Sequence, residues 1–469
     1  GVRWVSDGSG SYTIEPATCD TPGTAITLQL KDDAQEFLEA DTLRRIVKRY
    51  SDHVPQPVVL AGEEDEETLN EASALWTRPR NEIGEDEYRS FYAHISHGDT
   101  EPLTWIHFHA EGTTEYTALL YVPSHQPVDL WQPEARHGVR LYVRRVFITD
   151  QARELLPTYL RFLRGVVDAP DLPLNISREM LQSDTQVTRI RKGIVRRVLK
   201  RLSDMAANEP DRYRRFWDNF GAVLKEGIPE DPSNQEELAG LLRFHTSRRP
   251  DQWVSLADYK AGMREGQQAI YYLTGDDEVT LKNNPQLEVF EKKGVEVLLL
   301  TDPVDEWVTM HLSEYDGTPL QSVAHGDIDL SQLGGEEAES EEAEAEKAAG
   351  YEALINNLKQ ALGPAAADVR LSHRLTESPS CIVADDNALG EHMERLLKAA
   401  NQAVPESAPI LELNPDHTVV QTLKTIHETD PGDSRVAEWG HLLLDQARMA
   451  QGAALPNPAE TAQRLSRMM

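Results

Sequence analysis

The 469-residue chain is too long for a single hydrophobic core and fits roughly two to four domains. Its 47 Lys and Arg residues stand against 79 Asp and Glu, a formal charge of -32, and a field of that sign excludes nucleic acid and anionic membrane as partners unless a basic patch is strongly segregated. Two cysteines, Cys19 and Cys381, are too few and too far apart for a zinc site or a disulfide framework, and a reducing compartment is the simple reading. No apolar run approaches the ~18 residues that span a bilayer.

In chain order, residues 4 to 14 read as a hairpin turning through Asp7-Gly8-Ser9-Gly10. Entry straight into a hairpin, without a secretory signal pattern, predicts an amino-terminal truncation. Ile26, Leu28 and Leu30 alternate with polar residues, so 24 to 30 is expected as a half-buried strand. A helix is expected from about 33 to 50, with Phe37, Leu38, Leu43, Ile46 and Val47 as its apolar stripe. Residues 62 to 67 form a like-charge run, read as a solvated linker.

A large α/β stretch follows. Strands are expected over 116 to 122 and over 139 to 148, and a turn then a buried parallel-type strand over 293 to 300. Apolar residues at 187, 190, 194, 198 and 202 make a helical stripe, with seven Lys or Arg on the other faces. That basic run reads as a solvated face rather than an anion-binding surface. From 334 an acidic low-complexity tract reads as a tether or a solvated helix, and 350 to 469 as mostly helical. Asn414-Pro415 and Asn457-Pro458 are expected as helix caps followed by a first-turn Pro.

Conventional catalytic motifs are absent: there is no GxxxxGK[ST], no GxSxG and no HExxH. His94 with His97, and His107 with His109, have spacings a metal tolerates, but surface or packing roles are the favoured reading and no metal is expected. The segment from Asp171 to Gln182 differs. Ser177 is a plausible cap that places Arg178 in a helix's first turn, where a cation opposes the helix dipole by about 0.3–1 kcal/mol. An anion held by Arg178 and the free N–H groups would justify that placement, with Gln182 one turn on. A salt bridge from Arg178 to Asp168, Asp171 or Asp184 is the alternative.

This segment, Asp171-Leu172-Pro173-Leu174-Asn175-Ile176-Ser177-Arg178-Glu179-Met180-Leu181-Gln182, resembles the catalytic loop of the heat-shock protein 90 family. The runs Leu141 to Asp150, Leu160 to Asp168, Tyr88-Arg89-Ser90-Phe91-Tyr92, Glu111 to Thr117 and Ser51-Asp52-His53 resemble the same family, nearest its bacterial members, and the likeness covers essentially the whole chain.

The resemblance implies a multidomain α/β protein. Residues 1–60 would be a remnant of the α/β-sandwich (GHKL-type) ATPase domain and 61–72 a short charged linker. An α/β/α middle domain would occupy 73–333, an acidic linker 334–350 and a mostly helical α+β dimerisation domain 351–469. It implies an ATP-driven chaperone whose cofactor is ATP with Mg2+. Arg178 matches the arginine that reaches the γ-phosphate, with Asn175 and Gln182 supporting it; such arginines supply ~10³–10⁵ in rate elsewhere. The family's Mg-binding Asn, general-base Glu, adenine-binding Asp and glycine-rich lid all precede the point matching Gly1. Thr24 alone carries over from the pocket, so this chain is expected neither to bind nor to hydrolyse ATP.

Glu306, Trp307 and Met393 match segments that contact unfolded client proteins, and homodimerisation through 351–469 and co-chaperones are further implied partners. The ending Arg467-Met468-Met469 lacks the acidic docking pentapeptide of eukaryotic cytosolic members and any ER-retention tail, which points to the bacterial cytoplasm. A non-catalytic scaffold that kept the middle and dimer domains is the alternative.

Overall fold

The computed structural model describes all residues except 20, 63–65, 97–100, 133–137, 151, 174–184, 327, 329–340, 385–390, 400, 401, 403–407 and 469. They fall into two compact units: residues 1–74 with 144–147, and residues 75–143 with 148–469.

The first unit opens with the expected hairpin, β1 (Val2–Ser6) antiparallel to β2 (Tyr12–Pro16), with Gly8 and Gly10 supplying the positive φ of the turn. The expected strand over 24 to 30 does not form. Ile26 and Leu28 are 79% and 75% exposed, because alternation makes a strand only where a neighbour takes the backbone hydrogen bonds, and none of the described residues does. The expected helix over 33 to 50 is split. A 3-10 turn, Asp32–Leu38, ends at Glu39 in extended geometry before α1 (Ala40–Tyr50). Phe37 and Leu38 are exposed, so no packed face holds the first part in α geometry. The charged run falls between two short strands. Antiparallel β3 (Val59–Ala61) and β4 (Glu66–Thr68) flank it, and Glu67 accepts two bonds from Arg44, at 2.8 and 2.9 Å.

The second unit is built on three sheets, one of which includes a strand, Val146–Thr149, whose first two residues are grouped with the first unit. After α2 (Glu85–Ile95) come β5 (Pro102–Ala110), β6 (Tyr116–Pro123), β7 (Gly138–Val143), β8 (Val146–Thr149) and β9 (Arg164–Asp168), in sheet order β5-β6-β9-β7-β8. The single strand expected over 139 to 148 is thus two, broken at Arg144 and Arg145, both at positive φ. Tight hairpin turns demand that conformation, and Gly or Asn normally announces it. Strand β6, an interior strand of this sheet, is buried on both faces. Ala118, Leu120 and Val122 share a core with α3 (Thr185–Asn208), whose Val187, Ile190, Ile194, Val198 and Leu202 are the expected stripe. On the opposite face Tyr121 packs on Tyr92 of α2, ring centroids 5.1 Å apart, and donates to the Tyr88 carbonyl.

Behind α3 lie α4 (Pro210–Lys225), opened by Pro210, then α5 (Gly227–Glu230) and α6 (Gln235–Leu241). The second sheet uses β10 (Arg243–Thr246), β11 (Val254–Ser255), β12 (Ile270–Thr274), β13 (Leu298–Leu300), β14 (Glu314–Tyr315) and β15 (Thr318–Ser322) in the order β11-β10-β13-β12-β15-β14. Between them run α7 (Leu256–Ala261), α8 (Glu278–Lys282), α9 (Glu288–Lys293) and α10 (Asp305–His311). The turn at left-handed Gly294 and the parallel pairing of β13 with β12 follow the expectation.

The last part begins with α11 (Glu341–Leu362), so the acidic tract is helical from 341 onward. Its small sheet takes β16 (Asp368–Leu371), β17 (Ser380–Val383) and β18 (Ile410–Leu413) in the order β16-β18-β17, with α12 (Glu391–Ala399), α13 (Thr418–Thr429), α14 (Ser434–Ala450) and α15 (Pro458–Met468) around it. Asn457 caps α15 as expected, its Oδ1 accepting from the Glu460 N–H. Asn414 does not cap α13: it holds the Asp416 N–H in a side-chain turn, and His417 is the cap, accepting from Val419.

Gly165, in the strand beside β6, has φ +145, and a Cβ there would collide with the Leu119 carbonyl oxygen. Gly165→Ala is expected to destabilise the second unit by about 2–4 kcal/mol, read as a lower urea midpoint for protein whose spectrum in buffer is unchanged.

Candidate functional site

The strand leading to the arginine segment is firmly placed. Asp168, at the end of β9, accepts from the Trp76 indole N–H at 3.0 Å, and Asp171 accepts from the Glu115 backbone N–H at 2.8 Å. Two of the three carboxylates named as alternative partners for Arg178 therefore already have work in the fold, and the third, Asp184, lies outside the described residues. Asn175, Arg178 and Gln182 themselves lie outside the described residues. Thr24 is exposed, in the stretch that forms no strand.

The basic face of α3 is solvated in part and engaged in part. Arg189, Lys192, Arg196 and Lys200 are exposed. Arg201 is 2.8 Å from Glu209, and the Arg197 guanidinium lies 4.5 Å from the centre of the Phe108 ring. His107 packs internally, with Nδ1 2.7 Å from the Tyr88 hydroxyl and Nε2 2.9 Å from the Trp76 carbonyl. Burial holds its pKa below the ordinary histidine value, the Trp76 contact opposing. His109 meets Thr117, and His97 is outside the described residues. Among the described residues no three His, Cys, Asp or Glu side chains gather into a metal site.

The most specific construction surrounds α10. Lys225, the last residue of α4, is buried with its Nζ 2.8 Å from Asp302 Oδ2 and 2.8 Å from Asp305 Oδ1. The Phe244 ring centre is 4.7 Å from the same ammonium. Asp305 also accepts from the Asp302 N–H at 3.0 Å, fixing the first turn of the helix. Burial works against the charge on Lys225, but Asp305 and then Asp302 outweigh it and hold its pKa above the ordinary value. For fully buried Asp305 the desolvation dominates: its pKa is pushed up to about 6 despite the attraction of Lys225.

Anchored in this way, α10 buries Val308 and presents Trp307 and Met310, 37% and 63% exposed and three residues apart on one face. Glu306 is buried. Met393 is only 5% exposed, on α12. The three residues assigned to client contact thus stand in different states: Trp307 is open, while Glu306 and Met393 are covered. Sequence reasoning missed Lys225 and Met310. A lysine directly after Val223-Leu224 in an otherwise apolar helix end was the available signal for the first, and the three-residue spacing from Trp307 for the second.

Comparison with known proteins matches residues 61–469 to the family model described as Hsp90 protein. The chain is 48% identical to the chaperone protein HtpG of Dechloromonas aromatica, over all of this chain and 74% of that relative. It is 48% identical to that of Bordetella avium, covering 75% of it, and 47% identical to that of Aromatoleum aromaticum, covering 74%. In each case this chain aligns over its full length, about three quarters of the relative's.

Because Asp305 binds its proton more tightly folded than unfolded, the stability it contributes is fully present below pH ~4 and is lost as pH rises through about 6. Urea unfolding of the native chain and of Asp305→Asn across this window should show the native chain losing roughly 2–3 kcal/mol relative to the variant. A constant difference between pH 4 and 7 would contradict the assignment.

Proposed function

The chain belongs to the Hsp90 family of molecular chaperones, and from that membership we propose that it holds unfolded client protein on its second unit and acts as a homodimer through 351–469 in the bacterial cytoplasm. The proposed division is a remnant of an ATP-binding domain in 1–60, a middle domain in 73–333 and a dimerising domain in 351–469, joined by linkers at 61–72 and 334–350. The observation that carries the reading is the family match running unbroken through 61–469. It is supported by the pairing of exposed Trp307 and Met310 on a helix locked by buried charge. A large aromatic beside a flexible thioether suits recognition of varied apolar segments, since neither demands a particular partner geometry.

Thr24, the one pocket element carried over, is exposed and lies outside any strand. When bound in a complete site, ATP with Mg2+ would supply the energy of a conformational cycle. Arg178, with Asn175 and Gln182, is proposed as the group this chain brings to the terminal phosphate. Client holding by the chain itself is read as independent of nucleotide.

Calorimetric titration of Mg-ATP into the purified chain should give no binding heat, while the chain still suppresses aggregation of a thermally unfolded client. ATP turnover by this chain, lost in Arg178→Ala, would refute the first part. For the second, Trp307→Arg should weaken client holding by roughly fivefold, as truncation of a central aromatic does at other interfaces. A folded Trp307→Arg chain that holds client normally would remove Trp307 from the surface.

A further inference from the structure

Helix α12 is amphipathic, with Met393, Leu396 and Leu397 on one face at spacings of three and four. That face is turned into the protein: Met393 is buried and the two leucines are half-buried. Besides that packing, Arg395 ties the helix to two other stretches. One guanidinium nitrogen donates to the Gly452 carbonyl at 3.0 Å, and the other is 3.1 Å from Asp276 Oδ2. Asp276 belongs to an acidic turn, Asp276-Asp277-Glu278, that opens α8, where Asp277 caps the helix by accepting from the Thr280 N–H. Gly452, at φ +73, lies against the same turn so closely that a Cβ would be 2.8 Å from Thr280 Cγ2. One arginine therefore ties three separate stretches together: α12, the turn before α8 and the chain after α14.

The tie is built to be weak. The Asp276 side chain is 57% exposed, and a pair so open to water gains little and is screened by salt. The third guanidinium donor, Nε, is buried and has no hydrogen-bond partner among the described residues. An unsatisfied buried donor is a standing cost of the closed arrangement, recovered when the side chain swings into water. The Lys225 cluster differs in enclosure: its lysine side chain is 4% exposed and faces two carboxylates.

We propose that α12 is a stowed client-contact element, clasped by Arg395 onto Asp276 and Gly452, and that release of the clasp turns the Met393 face outward for an unfolded apolar segment. The proposal rests on the reading of Met393 as a client residue. It places control of that surface at a salt-sensitive joint far along the chain from the arginine segment.

Hydrogen exchange of 391–399 in the full 469-residue chain tests the clasp separately from the client reading. Asp276→Asn should speed exchange there by roughly fivefold, and Asp276→Glu, which keeps the charge, should stay near the native rate. Gly452→Ala, crowding Thr280 from the other side, should act in the same direction as Asp276→Asn. Raising salt from about 0.1 to 1 M should speed the native chain without any substitution, which keeps the test valid if a variant misfolds. Unchanged exchange in Asp276→Asn, or exchange indifferent to salt, overturns the clasp. Faster exchange accompanied by tighter holding of an unfolded client supports the whole proposal. Faster exchange with unchanged holding leaves the clasp standing and overturns the client role of Met393.

Discussion

Lys225 sits where the chain can least tolerate a charge and where the second unit can least do without one. Its ammonium is buried beneath Phe244 and meets Asp302 and Asp305, residues 77 and 80 positions further along. Enclosing these groups is expensive, and the cluster as a whole need add nothing to net stability. Removing one member is another matter, since it strands the others uncompensated at a cost of about 3–5 kcal/mol. The cluster therefore acts as a register pin. It fixes the end of α4 against the start of α10, and only one arrangement of the two satisfies all three charges.

The same logic recurs between the second and third sheets. Glu412, buried in β18, meets Arg374 at 2.9 Å and Arg370 at 2.8 Å. Arg374 in turn donates to the Val323 carbonyl at 2.6 Å, and the Glu288 carboxylate accepts from the backbone N–H groups of Thr376, Glu377 and Ser378 at 2.7 to 3.0 Å. Gln286 adds a bond to the Ile382 carbonyl. Charged groups satisfied by backbone carry specificity without needing a large apolar interface. They join the α9 region to the small sheet through many short contacts that would have to break together. The thiol of Cys381 lies in this environment, where burial and then Glu412 push its pKa well up. That makes it a packed structural thiol rather than a nucleophile.

What the sequence made legible was whatever depends on near neighbours. The stripe of α3 is a matter of periodicity within one helix, and each of its five positions is buried. The hairpin β1–β2 and the Asn457 cap are equally local. The failures have distant causes. Residues 24 to 30 alternate correctly but lack a pairing partner among the described residues, and Arg144-Arg145 turns a hairpin without the usual glycine or asparagine because β7 and β8 impose it. Lys225 reads locally as a cation favourably placed at a helix terminus, and only the return of the chain at 302 to 305 reveals it as buried. At the candidate site, Trp307 could be named from resemblance, but its exposure and the burial of Met393 follow from packing that no short window contains.

The contrast between α10 and α12 follows from how each is charged. The first turn of α10 is tied to a fully enclosed ammonium, where low polarity strengthens every contact and salt has no access. Trp307 and Met310 are therefore held in one posture, a standing apolar surface whose exposure costs no rearrangement. By contrast, α12 is tied through a half-exposed aspartate. Two apolar elements of comparable length thus differ by more than their side chains. One is fixed open and one is closed lightly. On the proposed reading, the standing surface would recruit an unfolded segment and the clasped one would add area only when the clasp yields. Carrying -32 charges, the chain spends most of its acids on solubility. Of the few that face buried or half-buried bases, Asp302 and Asp305 meet an enclosed lysine at α10 and Asp276 a more open arginine on α12.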